Sequence, residues 1–217
     1  MNLSVAIDGP AGAGKSTIAK LVGKKFNLMY INTGYMYRAV TLMAMEHNIK
    51  YTDIENLCKL IDSLSMHFEH DRIVVNAKDI SDRIVMPDIS KNVSNYAAVL
   101  EVREKLVSIQ RELSEKYNVI MDGRDIGTVV LKDAKFKFFL TASPEERAKR
   151  RYDEFTRKNV EVNYDDILND IKKRDFIDSN REVSPLKKAE DAVEIDSSFM
   201  GIQDVVNYIS KYITDRM

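Results

Sequence analysis

At 217 residues, 44% of them hydrophobic and 31% charged, the chain has the composition of an ordinary soluble domain with one substantial core, which excludes a low-complexity or fibrous class. Its 33 Lys+Arg against 34 Asp+Glu leave a formal net charge of -1, so no global field favours nucleic acid or an anionic membrane, and an anionic ligand has to be held by local charge. A lone cysteine, Cys58, excludes an intrachain disulfide, and the opening Met1-Asn2-Leu3-Ser4 carries neither a basic leader nor a run long enough to span a bilayer, so a cytoplasmic protein is expected.

The first predicted strand, Leu3–Ile7, runs into Gly9-Pro10-Ala11-Gly12-Ala13-Gly14-Lys15-Ser16, and a helical pattern follows from Thr17 to Phe26. Strand, glycine-rich turn and helix in that order read as a phosphate-binding P-loop. Small residues let successive backbone N–H groups close around phosphate oxygens, and the helix N-terminus adds partial positive charge. Gly9, Pro10, Ala11, Gly12, Ala13, Gly14, Lys15, Ser16 and Thr17 are therefore the candidate donor-nucleotide residues. Lys15 supplies a mobile charge for the β- and γ-phosphates, and the Ser16 hydroxyl is placed to ligate Mg²⁺, which points to MgATP or MgGTP. Ile18, Leu21, Val22 and Phe26 share a helical face expected to lie on a sheet.

A second strand, Met29–Ile31, leads to Asn32-Thr33-Gly34-Tyr35-Met36-Tyr37-Arg38, where Thr33 is expected to cap a helix and Arg38 to offer a planar fork to a phosphate or carboxylate. Cys58 falls with Ile54, Leu57 and Ile61 on a helix face expected to be buried. Between Met66 and Ile84, short runs separated by His70-Asp71 and Asn76-Ala77 predict a small antiparallel insert. A third strand, Val119–Met121, runs straight into Asp122-Gly123-Arg124-Asp125-Ile126-Gly127, and charges at a sheet's carboxyl edge meet a ligand or each other. After a fourth strand, Phe136–Leu140, Ser143-Pro144-Glu145-Glu146 starts a helix whose Arg147, Arg150 and Arg151 share a face. With Arg157, Arg150 and Arg151 suit a mobile cover that neutralises charge on a transferred phosphoryl group. The run from Arg174 to Arg181 contains an i, i+4 pair, Arg174 and Asp178, of the kind that bridges along a helix. With a fifth strand at Val193–Ile195, the alternation predicts an α/β, three-layer fold around a parallel five-stranded sheet. His47, His67 and His70 fall in no cluster.

Together with the P-loop, five further segments come in an order and spacing that resembles the bacterial cytidylate (CMP) kinases over nearly the whole chain. They are Thr33 to Arg38, Val93-Ser94 with Val102-Arg103, Asp122 to Val130, Arg174 to Arg181, and Ser184-Pro185-Leu186. The resemblance implies one kinase domain over 1–217, with a nucleoside-monophosphate-binding insert at about 63–93 and a helical lid at about 144–165. It implies transfer of the γ-phosphoryl group of ATP, with Mg²⁺, to CMP or dCMP. Ser94, Arg103 and Asp125 would read the cytosine, and Asp178 with Arg174 would contact the sugar. Arg38, Arg124 and Arg181 would hold the monophosphate beside Thr33, while Lys15, Arg124, Arg181 and the lid residues Arg150, Arg151 and Arg157 would stabilise charge during transfer.

The residue types agree, since Asp can accept from the cytosine amino group and Arg and Ser can meet its ring carbonyl and nitrogen. The acceptor phosphate is already an anionic nucleophile, so no catalytic histidine is required. Two positions depart from the family pattern. Asn32 stands where Asp is common and removes a negative charge near the acceptor phosphate. Leu100 replaces a common proline and is expected to loosen the loop that presents Arg103. The rival readings are a P-loop kinase for UMP or a shikimate-like hydroxy acid, with Asp125 as its base, and a P-loop nucleotide-binding regulator. Three convergent arginines suit a dianionic phosphate, and no Asn-Lys-x-Asp guanine motif occurs. Without a heptad or an obvious apolar patch, a monomer acting on small molecules is expected.

Overall fold

The structure, a computed structural model, describes residues 2–157 and 159–217. In chain order it contains β1 (Ser4–Asp8), α1 (Lys15–Phe26), β2 (Met29–Asn32), α2 (Thr33–Glu46), α3 (Ile54–Ser63), β3 (Met66–Glu69), β4 (Arg72–Val75) and β5 (Lys78–Asp79). There follow α4 (Pro87–Ala97), α5 (Leu100–Lys116), β6 (Val119–Gly123), a π-helical turn (Ile126–Val130), β7 (Phe136–Thr141), α6 (Pro144–Arg157), α7 (Tyr164–Asn180), β8 (Val193–Asp196) and α8 (Ile202–Thr214). Five strands form one sheet in the order β2-β6-β1-β7-β8, every neighbouring pair parallel.

Alternation along β1 separates the two cores that sandwich this sheet. Ala6, with Ile31, Val119 and Met121, faces a layer built from α2 to α5, whereas Val5 and Ile7, with Ile120, Phe136 and Phe138, face α1 and α8. Each strand continues past the apolar run that predicts it, ending in Asp8, Asn32, Gly123, Thr141 and Asp196. Polar groups therefore collect at one carboxyl edge, where ligands of open α/β sheets bind.

The insert is a three-stranded antiparallel sheet, β3-β4-β5. Val75 pairs with Lys78 across a two-residue loop whose Asn76 and Ala77 both have positive φ, 48° and 61°, the primed turn that matches strand twist. Beyond β7, α6 and α7 pack on each other through Ala148, Ile167 and Ile171.

Four local expectations are corrected. Asn32, not Thr33, caps α2, because its side chain reaches the Tyr35 amide, while the Thr33 hydroxyl donates to the Asp122 carbonyl at 2.8 Å. Leu21 stays 40% exposed because the buried stripe of α1 runs through Ile18, Ala19, Val22 and Gly23. Cys58 is only half-buried on α3. Arg103 is presented by the first turn of α5, with its amide bonded to the Val99 carbonyl, so Leu100 loosens no loop. Proline is favoured at a first helical position, and leucine there forfeits only its preset φ.

Candidate active site

The loop after β1 closes against the sheet through glycine. At Gly9, φ is +146° and any Cβ would run into the Leu140 carbonyl. Gly14 turns the chain into α1 with φ of +87°. Lys15 is buried, and its ammonium donates back across the loop to the Pro10 carbonyl at 2.7 Å. Burial, reinforced by the nearby Arg124 charge, brings its amine down to about 7.

Behind the loop, Ser16 donates to one oxygen of Asp122 at 2.9 Å and the Tyr30 hydroxyl donates to the other at 2.8 Å. Asn32 Nδ2 donates to both hydroxyls, at 3.2 Å to Ser16 and 3.0 Å to Tyr30, while its Oδ1 accepts from the Tyr35 amide. The orientation leaves both hydroxyl protons free for Asp122, whose carboxyl is raised by burial. Aspartate at position 32 would set a second carboxylate against the first, so the amide suits this network as it stands. Ser16 and Asp122 are hard oxygen donors at the phosphate end of the loop, a set that fits Mg²⁺.

Near Lys15, the residues expected to bind an acceptor come from five segments. Arg124, just past β6, donates from Nε to Asp178 of α7 at 2.8 Å. Burial opposes both charges, yet each outweighs that cost for the other: the Arg124 guanidinium is held up and the Asp178 carboxyl down. Asp178 therefore pairs across the site, and the bridge expected along α7 to Arg174 does not form. Asp125 is ion-paired with Arg103, which also donates to the Ala97 carbonyl at 3.0 Å, one turn past Ser94 on α4. Arg181 lies 3.7 Å from the other Asp125 oxygen and is steadied by its bond to the Ser184 carbonyl at 2.7 Å.

Cation exceeds anion in this group. Arg38 donates to the Ile84 carbonyl and the Ser90 hydroxyl, and burial together with Arg174, Arg151 and Arg124 brings its guanidinium down to about 9. Burial first, then the Arg124 and Arg151 charges, bring Arg174 down to about 10 against the pull of Asp178 and Asp175. Among the described residues, Arg103 Nε, Arg174 Nε and Arg181 Nη2 are buried without a hydrogen-bond partner. Such donors call for an anion, a polar ligand or ordered water.

The three arginines expected in a lid divide. Arg151 lies over the Phe155 ring at 5.0 Å, and its charge reaches Arg38 and Arg174. Arg150 is turned toward the β8–α8 loop, bonded to the Ser197 carbonyl at 2.6 Å and to Glu146. Arg157 sits at the exposed end of α6, bonded to the Asp153 carbonyl.

Sequence reasoning gave no role to four residues that organise the site. Tyr30 and Asp122 complete the Ser16 network, and Asp8, its carboxyl pushed up to about 7 by burial against the pull of two amides, grips the turn at Ile126–Gly127. Arg147, buried, donates to Ala11 of the P-loop at 3.0 Å, to the Ala142 carbonyl and to Asp175 of α7 at 2.6 Å. An acid ending a strand beside the P-loop strand was a usable signal for Asp122, which is paired with Ile7. Nothing in a single arginine of a charged helix marks Arg147 as the buried one.

A P-loop beside a hard-oxygen network, facing an excess of buried guanidinium, defines a P-loop kinase. Residues 5–215 match the family model described as cytidylate kinase. A curated relative named cytidylate kinase from Clostridium acetobutylicum is 68% identical over 217 residues, all of both chains. One of that name from Clostridium tetani is 62% identical, covering 98% of this chain and 94% of its own. Among solved structures, an uncharacterized protein from Eubacterium ventriosum is similar in fold, with a TM-score of 0.55 at 17% identity over the whole of both chains. The chain belongs to the cytidylate kinase family.

Proposed function

We propose that the enzyme transfers the γ-phosphoryl group of ATP to CMP or dCMP, with ADP as the second product. The observation that carries the acceptor reading is the set of three buried guanidinium atoms without hydrogen-bond partners around the Asp125–Arg103–Arg181 and Arg124–Asp178 pairs. A pyrimidine monophosphate offers what they need: a dianionic phosphate for Arg38, Arg124 and Arg181, and a base edge for Ser94, Arg103 and Asp125. Asp178 and Arg174 would contact the sugar between them.

In this reading the P-loop amides and Lys15 hold the donor phosphates. Mg²⁺, held through Ser16 with Asp122 behind it, supplies charge neutralisation between donor phosphates when bound. The acceptor phosphate attacks as an anion, so the protein's work is alignment and charge stabilisation. Lys15 and Arg124 lie near enough for their charges to influence each other, and in this reading both would stabilise the transferred group. Arg151 would act from where its charge already reaches Arg38 and Arg174. Arg150 and Arg157 would join on a movement of α6, in a lid taken as about 144–165 that, with the insert at about 63–93, belongs to one kinase domain. The enzyme acts as a monomer on small molecules in the cytoplasm. No described helix is long and apolar enough to cross a membrane.

Acceptor-dependent ADP release from MgATP, measured separately with CMP, dCMP, UMP, AMP, GMP and shikimate, tests this. Selective release with CMP or dCMP is expected. Selective release with another acceptor overturns the assigned base-reading roles, and release with none overturns kinase function.

A further inference from the structure

Asp125 occupies the N-cap position of the π-helical turn Ile126–Val130, where an aspartate ordinarily turns its carboxylate onto the first free amides. Here it does not: no side-chain cap is made, because the Asp125 carboxylate faces Arg103 and Arg181. The cap comes from another strand. Asp8 ends β1, and its two oxygens accept separately from the Ile126 amide at 2.8 Å and the Gly127 amide at 2.7 Å.

We propose that Asp8 is a positioning residue for acceptor recognition: by capping the turn from the P-loop strand, it frees the Asp125 carboxylate for the acceptor base. The inference rests on the reading of Asp125 given above. Two amides pointing into one buried place require two acceptor oxygens. A carboxylate has them, whereas asparagine brings one oxygen and an NH₂ that faces the second amide. The geometry around Gly127 is equally tight, since a Cβ there would lie 3.3 Å from Asp8 Oδ2. With the remote cap lost, the nearest replacement acceptor for those amides is Asp125 itself, and turning it inward withdraws it from Arg103 and Arg181.

The test compares Asp8→Asn, Asp125→Asn and the double variant at pH 8, with CMP and UMP as acceptors. Asp8→Asn is expected to raise the CMP KM roughly tenfold or more and to lower CMP-over-UMP discrimination, with the ATP KM within about twofold of the unsubstituted enzyme. The double variant should discriminate no worse than Asp125→Asn, because the first substitution acts through the second residue. A raised ATP KM with unchanged discrimination, or additive losses in the double variant, overturns the inference. If Asp125→Asn leaves discrimination intact, the reading of Asp125 fails and the inference with it. If it lowers discrimination and Asp8→Asn does not, the inference alone fails. Should Asp8→Asn not fold, NMR of the unsubstituted protein decides: slowly exchanging Ile126 and Gly127 amides with through-hydrogen-bond coupling to the Asp8 carboxyl carbon support the cap, and absence of that coupling overturns it.

Discussion

The two halves of the proposed site, one for the donor nucleotide and one for the acceptor, are built on opposite plans. The donor half is nearly contiguous, Gly9 to Ser16, and its polar groups are satisfied internally: Lys15 by Pro10, Ser16 by Asp122, and the loop carbonyl of Ala11 by Arg147. The acceptor half draws on α2, α4, α5, the segment after β6, and α7 with the loop that follows it. It keeps buried guanidinium atoms without hydrogen-bond partners. A chemistry common to many enzymes needs a portable motif, whereas recognition of one acceptor needs groups left unmatched until that acceptor arrives.

The largest expected effect breaks the donor half alone. Lys15→Ala should lower kcat by about three orders of magnitude or more while the fold survives. The sign of the amine's shift supports that survival. A folded value of about 7 against an ordinary 10.5 means the charged form is disfavoured in the native state, so removing it relieves rather than adds cost. Turnover with ATP and CMP, together with urea unfolding, checks both statements. Near-normal turnover, or global unfolding, would count against the role given to Lys15.

Asp125→Asn strikes the acceptor half. Asparagine keeps the shape and avoids the full cost of stranding two buried arginines, which an alanine would incur. The CMP KM should rise by roughly one to three orders of magnitude, with a smaller change in kcat and a loss of preference over UMP. Initial rates with both acceptors decide, and unchanged preference would remove Asp125 from base reading.

The same contrast explains what was legible in the sequence. The P-loop can be read because strand, glycines, Lys15 and helix are adjacent, and the five strands because apolar runs alternate with helical patterns. Arg38 could be read as an anion fork from its own segment, but the other proposed acceptor residues could be named only through a family resemblance, since Ser94, Arg103 and Asp178 are far apart in the chain and each is ordinary alone. The cross-site pairing of Asp178 with Arg124 was hidden behind the i, i+4 pattern with Arg174, because a local rule cannot see a competing partner 54 residues away. Asn32 was readable as a departure, yet its place between Ser16 and Tyr30 depends on β2 lying beside β6.

Asp8 crosses the division, belonging to the donor strand while holding the acceptor turn, and its titration offers a medium-sized test. Its folded value of about 7 lies above the ordinary 3.8, so the stability it confers is complete below about pH 4 and is lost as pH rises toward 7. Urea unfolding at pH 5 and 8 should show the native protein losing stability across that interval, by a few kcal/mol at the most. In Asp8→Asn that decline should be shallower, with the remainder left to other buried acids such as Asp122. Parallel curves for the two proteins would show that Asp8 does not titrate in this range.

The smallest effect separates the halves by anion binding without turnover. Sodium sulfate, compared with sodium chloride at equal ionic strength, should raise Tm by a few degrees. Part of that rise is general, because sulfate is excluded from protein surfaces, and a Lys15→Ala, Arg38→Ala double variant should keep only this part. The rest divides between two cradles. The P-loop presents amides and a lysine already hydrogen-bonded within the loop, whereas Arg38 is one of several guanidiniums whose charge burial and like neighbours make costly. Arg38→Ala should therefore remove more of the sulfate-specific rise than Lys15→Ala does. If the lysine variant removes the larger share, the excess of unmatched positive charge lies on the donor side and the contrast between the halves is reversed.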